Sequence, residues 1–140
     1  MLGKEHFANK FVDLFPEYVA DLKEHLSDYN EILAHVFFGD LIDIPLFELL
    51  LTNKNVKQIE KYIDFIEDMY KNGDGDVKNV VEVTILEYLG DDETVLKNAL
   101  GYFSEDIIKA SQAVEATIWR RRIKYHYGKN RKLFVSFEPW

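Results

Sequence analysis

The fold is decided by VKQIEKYIDFIEDMY, residues 56–70, and by the residues Asn72-Gly73-Asp74-Gly75 that follow soon after. Apolar side chains recur there at intervals of three and four residues, with charged side chains between them. This is the pattern of a helix that buries one face. The glycines behind the run can take the positive φ that often follows a helix end. The stretch therefore predicts an amphipathic helix that ends near Asn72.

Glycines and short polar residues also separate the predicted helices closer to the C-terminus. An inward stripe runs from Val77 to Leu89 and ends at Gly90, and a shorter one ends at Gly101. Short polar side chains before each helix are candidate caps, because their oxygens can accept the first free N–H groups. The predicted caps are Asp74 or Asp76, then Asp91 or Asp92, and finally Ser104. We expect the last helix to run past Trp119, since its apolar positions continue to Ile118.

The N-terminal half predicts helices with breaks at its proline and glycine residues. One stripe stops at Pro16, which suits the first turn of a following helix. It consists of Phe7, Phe11, Val12 and Phe15. Two further helices are expected at 32–38 and 45–51, with Gly39-Asp40 between them.

The predicted fold class is all-α, with about five to eight helices, and the short connections favour antiparallel neighbours. We expect residues 1–140 to form a single helical domain, in which the basic and aromatic tail 125–140 packs on the body. A chain of this length can bury a sizeable core without disulfides, and the sequence contains no cysteine.

The composition argues against a membrane protein. The longest apolar run, residues 41–51, is interrupted by Asp43 and Glu48, and the N-terminus lacks the apolar stretch of a signal peptide. We therefore expect a cytoplasmic protein with no membrane partner.

The charge is distributed unevenly along the chain. The net charge is −8, yet seven of the 17 basic residues follow Ile118, whereas only one of the 25 acidic residues does. An acidic body repels nucleic-acid phosphates and attracts a basic protein surface. The basic tail alternates cations with aromatic side chains, a pattern that also occurs in nucleic-acid binders. An RNA-associated module that uses Arg120 to Lys132 is therefore the alternative, although the acidic body makes nucleic acid the less favoured partner.

No established catalytic or metal-binding motif is present. Residues 72–76 resemble a calcium loop in composition, but the glycine and glutamate that such a loop needs at its sixth and twelfth positions are missing. His35 with Glu31 and Asp40 is the one cluster that suggests a small metal-dependent enzyme. A buried structural histidine is the preferred interpretation, so we expect no metal, no cofactor and no catalytic residue. Glu87 lies in an otherwise apolar stretch and is expected to be paired or to line a groove.

Two resemblances extend this interpretation. Residues 73–81, GDGDVKNVV, resemble the helix starts of HEAT and armadillo repeats, which implies a short, irregular α-solenoid. Residues 35–40, HVFFGD, and 75–103, GDVKNVVEVTILEYLGDDETVLKNALGYF, resemble small acidic all-helical bacterial proteins associated with immunity proteins of polymorphic toxin systems. The second resemblance implies a non-enzymatic protein that neutralises a cognate toxin by occluding a basic active-site cleft.

The predicted partner-binding residues lie in three acidic segments before helix starts, and we expect these segments to share one end of the solenoid. Phe37 and Phe38, beside the first segment, are the predicted apolar anchors, because buried aromatic side chains carry most of the affinity in many interfaces. The acidic members are Asp40 and Asp43, then Asp74 and Asp76, and then Asp91, Asp92 and Glu93.

Overall fold

The structure is a computed structural model. It describes the backbone of residues 1–127 and the side chains of residues 1–118, and this part of the chain forms seven helices. In chain order they are α1 (Lys4–Leu14), α2 (Val19–Tyr29, preceded by a short 3-10 turn at Pro16–Tyr18), α3 (34–52), α4 (Val56–Asn72), α5 (75–89), α6 (Glu93–Leu100) and α7 (Glu105–Tyr127). The fold is all-α, as predicted. Its relation to a solenoid stays a prediction, and so does the tail beyond Tyr127, which lies outside the described residues.

Two of the predicted helix starts are confirmed by a side chain that caps them. Asp74 accepts a hydrogen bond from the N–H of Val77 at 2.9 Å, and Asp92 accepts one from Val95 at the same distance. Each of these carboxylates satisfies an N–H group that the first turn leaves free. The two open choices are thus resolved in favour of Asp74 and Asp92.

Gly73 ends α4 for a different reason from the one predicted. Its backbone is extended, with φ −76° and ψ 156°, so no positive φ is involved. A Cβ atom at this position would lie 2.4 Å from the carbonyl oxygen of Met69 and 2.4 Å from Val77 Cγ1. Glycine is therefore required by the close approach of the chain, since any other side chain would collide with backbone.

Helix α3 corrects the predicted break at Gly39-Asp40. It comprises α-helical Ala34–Phe38, a π-helical turn at Gly39–Asp43 and α-helical Ile44–Thr52 without interruption. Pro45 lacks an N–H group, and its ring would clash with the carbonyl four residues earlier in a regular helix. The wider π turn before Pro45 lets the helix continue through it.

A second π-helical turn, Val81–Leu86, lies inside α5 and packs against the π turn of α3. The two turns are within van der Waals range at Gly39, where an added Cβ would lie 3.4 Å from Thr84 Cγ2, an ordinary contact distance. His35 Nδ1 and Thr84 Oγ1 are 2.5 Å apart and form a hydrogen bond between the two helices. The two widened turns therefore face each other at the α3–α5 contact.

The core is built around aromatic side chains from α1, α3 and α4. Phe11 contacts the rings of Phe38 and Phe65 edge-on, with centroids 6.4 Å and 5.2 Å away. Phe37 and Phe38 are 2% and 0% exposed. Burying a ring of this size contributes about 1.5–3 kcal/mol to folding. The prediction that Phe37 and Phe38 anchor a partner is therefore corrected, because both rings belong to the core.

The last helix begins where the sequence predicts. Glu67 of α4 accepts hydrogen bonds from the backbone N–H and from the hydroxyl of Ser104, at 2.6 and 2.7 Å. These bonds tie the start of α7 to α4. The helix continues past Trp119 to Tyr127, as expected. Within residues 1–127, none of the helices combines the length and the apolar character that crossing a membrane requires.

Candidate protein-binding groove

The three predicted acidic segments do not share one end of the molecule. Asp74 and Asp76 lie at the start of α5, whereas Asp91 to Glu93 follow its other end. Because α5 runs without interruption over 75–89, the two groups are separated by about 21 Å of helix. Asp40 lies within α3 rather than in a loop. The prediction that the three acidic segments share one end of the molecule is therefore wrong, because α3 and α5 are continuous helices.

Asp43 does not lie on the surface at all. It is 5% exposed, and its Oδ1 atom has no hydrogen-bond partner within the described residues. Burial, with a smaller contribution from the nearby Asp40 carboxylate, raises the pKa of Asp43 to about 8. The prediction that Asp43 meets a partner is therefore corrected: it is a buried carboxyl group that is mostly protonated at neutral pH.

Asp40 contributes to an acidic groove between α2 and α3. The groove encloses about 210 Å³. Four carboxylates line it, and among the residues that the structure describes no lysine or arginine does. The lining residues are Asp21, Glu24, His25, Asp28, Tyr29, Val36, Phe37, Asp40 and Leu41.

The four carboxylates of the groove have no partners among the described side chains. The ion pairs found in that part of the chain, Lys4–Glu31, Lys10–Asp68 and Lys109–Glu105, all lie elsewhere. Carboxylates that face one concave surface without counter-charges produce a local negative potential. The groove therefore favours a cationic ligand.

A buried histidine is hydrogen-bonded at the floor of the groove, and apolar side chains are exposed at its edge. His25 is buried, and its Nε2 atom accepts a hydrogen bond from the Leu33 N–H at 2.9 Å. This bond holds the connection between α2 and α3 against the end of α2. Tyr29 and Val36 are 47% and 41% exposed at the edge. Apolar contacts beside charges suit a protein surface better than a lone cation.

A second concavity of about 350 Å³ adjoins this groove and shares Val36 with it. It lies against the start of α5, and Asp76, Asn79, His35 and Lys4 contribute its polar groups. Two predicted residues, Asp40 and Asp76, thus line neighbouring concavities on either side of Val36. The structure brings these two together and leaves Asp91, Asp92 and Glu93 elsewhere.

Sequence reasoning missed the α2 side of the groove. Asp21, Glu24 and Asp28 recur at intervals of three and four residues, so they lie on one face of α2. That spacing was the available signal. The spacing alone does not indicate a binding surface, because acidic residues on one helix face are usually solvated.

The remaining chemistry-bearing residues hold structural contacts. His35 is exposed, so the expectation of a buried histidine is wrong, and its Nδ1 atom is hydrogen-bonded to Thr84 Oγ1. Glu82 accepts a hydrogen bond from the Tyr70 hydroxyl at 3.2 Å. Glu87 lines a groove between α5 and α7. Within the described part of the chain, no group of three or more histidine or carboxylate side chains is arranged to hold a metal ion.

Comparison with known proteins places the chain in a family. Residues 8–120 match the family model described as "Domain of unknown function (DUF7674)". Because the match covers most of the chain, the protein belongs to that family. No protein of curated function and no solved structure shows a significant match.

Proposed function

We propose that this protein is a non-enzymatic binding module and that the α2–α3 groove receives a basic segment of a partner protein. The observation that carries the proposal is a set of four carboxylates around one groove that have no counter-charge among the described side chains, with Tyr29 and Val36 exposed at the groove's edge. Carboxylates give specificity and a fast encounter, and the apolar edge supplies contact area.

The partner class follows from the resemblance to immunity proteins of polymorphic toxin systems. In this proposal the protein resides in the cytoplasm and neutralises a cognate toxin by occluding its basic active-site cleft. A nuclease-like toxin binds phosphates through lysine and arginine side chains, and those cations complement the groove. The proposed contact residues are Asp21, Glu24, Asp28 and Asp40, with Asp76 in the neighbouring concavity.

Hydrogen–deuterium exchange on the complex tests where the partner binds. The full chain is used to capture proteins from its host cell, and amide exchange is then compared in the free and bound protein. We expect slowed exchange across residues 21–41 and at the start of α5, because bound surfaces exclude water from the backbone. The helix α4 serves as the internal control and is expected to remain unchanged.

Two results contradict the proposal. Protection confined to the surroundings of Asp91, Asp92 and Glu93 would place the partner at the opposite end of α5. Recovery of RNA in place of a protein would favour the module that uses Arg120 to Lys132.

A further inference from the structure

The α2–α3 groove contains a hydrogen-bond donor in addition to its carboxylates. His25 lines the groove and is only 8% exposed, and its Nε2 atom accepts the hydrogen bond from the Leu33 N–H. An imidazole that accepts through Nε2 carries its proton on Nδ1, so Nδ1–H is a donor. Within the described residues this donor has no hydrogen-bond partner and is not sealed from solvent, so it faces the groove. A ligand that brings an acceptor to this position satisfies it.

Aromatic rings lie beside this donor. The Tyr29 and Phe37 rings lie 4.8 Å and 5.3 Å from the His25 ring, measured between centroids. Phe37 is buried, whereas Tyr29 is half exposed and lines the groove. A cation over the face of a tyrosine ring is attracted by its π electrons, and a planar cation can also stack on it. The groove therefore combines negative charge with a ring surface for a flat cation.

The carboxylates of the groove are spread out along its walls. Asp21 and Asp28 are separated by about 10 Å along α2, with Glu24 between them, and Asp40 lies on the α3 wall. A guanidinium group has five N–H donors in a rigid plane, so it can bond carboxylates on both walls. The ammonium of lysine is a compact charge and lacks this planar arrangement. The spacing and the ring together favour arginine over lysine.

The size and charge of the groove favour an arginine that is part of a polypeptide. Pockets for small-molecule ligands commonly enclose about 300–1,000 Å³. This groove encloses about 210 Å³, which suits a single side chain. The α-carboxylate of free arginine would be repelled by the carboxylates of the groove, whereas a peptide-linked arginine presents neutral carbonyl groups. One of those carbonyls can accept the His25 Nδ1–H.

We propose that the α2–α3 groove binds an arginine side chain in a polypeptide segment of the partner. The guanidinium group stacks on Tyr29 and donates hydrogen bonds to Asp40 and to the carboxylates of α2. A backbone carbonyl of the same segment accepts the Nδ1–H of His25. This inference rests on the proposed function and deepens it, because it names the residue type that the groove selects and adds His25 as a contact residue.

NMR titration of the full chain with two capped amino acids tests this selectivity. Nα-acetyl-arginine N-methylamide and its lysine analogue share the same neutral backbone and differ in the cation. We expect both to shift the amide signals of residues 21–41, and the arginine probe to bind at least about threefold more tightly, because its planar fork makes paired hydrogen bonds and stacks on Tyr29. Asp40→Asn should weaken binding of the arginine probe. Glu60→Gln, on the exposed face of α4, is the matched control and should leave it unchanged.

His25→Gln separates the proposed donor from the structural hydrogen bond of His25. A glutamine oxygen near the position of Nε2 can still accept the Leu33 N–H, whereas the donor at Nδ1 is lost. We expect this variant to bind the capped arginine at least about threefold less tightly, the effect of one lost hydrogen bond. Ethylguanidinium has no carbonyl group, so the variant and the unaltered protein should bind it equally. Equal weakening for both probes would overturn the role of His25 as a donor, because it would indicate a distorted groove.

The outcomes distinguish this inference from the proposed function. Equal affinity of the arginine and lysine probes at residues 21–41 would overturn the selection of arginine and leave a groove that binds any cation, as the proposed function requires. Shifts confined to other surfaces would overturn the inference as well. The proposed function itself fails when hydrogen–deuterium exchange places the captured partner on another surface. Because the comparison of probes uses the unaltered chain, it does not depend on the folding of any variant, and circular dichroism checks the fold of each one.

Discussion

At the scale of single residues, the ionisation of the buried Asp43 makes the stability of the fold depend on pH. It is buried, Oδ1 has no partner among the described residues, and its pKa is raised to about 8. In the unfolded chain the same carboxyl ionises near the ordinary aspartate pKa of 3.8. Between these two pH values the folded state holds a proton that the unfolded state has lost. The free energy of unfolding contributed by this group therefore falls as pH rises from about 4 to about 8.

We predict that Asp43→Asn stabilises the protein at neutral and alkaline pH. An asparagine amide does not ionise, so the variant avoids the free-energy cost of protonating Asp43 on folding or of burying its charge. That cost rises between pH 4 and pH 8, so the gain in the free energy of unfolding should rise with it. At pH 7 we expect about 1–4 kcal/mol, from about 1.4 kcal/mol per pH unit reduced by relaxation around the site. Urea unfolding at pH 5, 7 and 9 measures it, with Asp64→Asn on the exposed face of α4 as the control. A gain that is constant across this range would contradict the assignment.

Two glycines make a matched pair with opposite expectations. An alanine methyl at Gly39 would meet Thr84 Cγ2 at 3.4 Å, an ordinary contact, and alanine favours a helix. We therefore predict that Gly39→Ala stabilises the protein by about 0.5–1 kcal/mol. At Gly73 the methyl would meet the Met69 carbonyl oxygen at 2.4 Å, so Gly73→Ala should destabilise it by more than that. Thermal unfolding compares the two, and equal effects would show that neither contact is as described.

At the scale of elements, the start of α7 depends on a side chain from another helix. Glu67 accepts both the N–H and the hydroxyl hydrogen of Ser104. We predict that Glu67→Ala lowers the free energy of unfolding by about 1–2 kcal/mol, the range of a lost helix cap. Glu60→Ala on the exposed face of the same helix is the control and should change it by less than about 0.5 kcal/mol. Indistinguishable losses in chemical denaturation would mean that this cap contributes nothing to stability.

Individual helices show which parts of the fold can be predicted from the sequence. The regular apolar spacing of 56–70 identifies α4, and the carboxylates Asp74 and Asp92 mark two helix starts, because both signals are local. Gly39 and Pro45 misled the prediction of α3, since each commonly ends a helix. The packing of one π turn against another keeps α3 continuous, and that contact joins residues about 45 positions apart in the chain. A local sequence pattern does not predict a contact between residues that far apart in the chain.

The candidate site was predicted in part for the same reason. The sequence indicates Asp40, because it is acidic and stands beside a glycine, and Asp76, because it stands near a helix start. Asp21, Glu24 and Asp28 belong with Asp40 only because α2 packs beside α3. Phe37 and Phe38 lie next to these acids in sequence, yet the helix turns their rings into the core.

At the scale of the whole molecule, the central claim is that the α2–α3 groove is the surface that meets a basic partner. Acidic side chains outnumber basic ones by more than two to one in residues 1–118. A field of this sign accelerates the encounter with a basic protein, and the acceleration decreases as salt screens it. The location of the carboxylates, rather than the total charge, distinguishes the groove from the rest of the surface.

The association rate at low and high salt, measured by stopped flow with the captured partner, tests this claim most directly. The double variant Asp28→Lys, Asp40→Lys is compared with Glu60→Lys, Asp64→Lys, which makes the same change in net charge on the exposed face of α4. We predict that the groove variant associates at least tenfold more slowly at low salt and loses most of its salt dependence, whereas the α4 variant changes far less. Equal slowing in both variants would contradict the claim, because the total charge rather than the groove would then guide the partner.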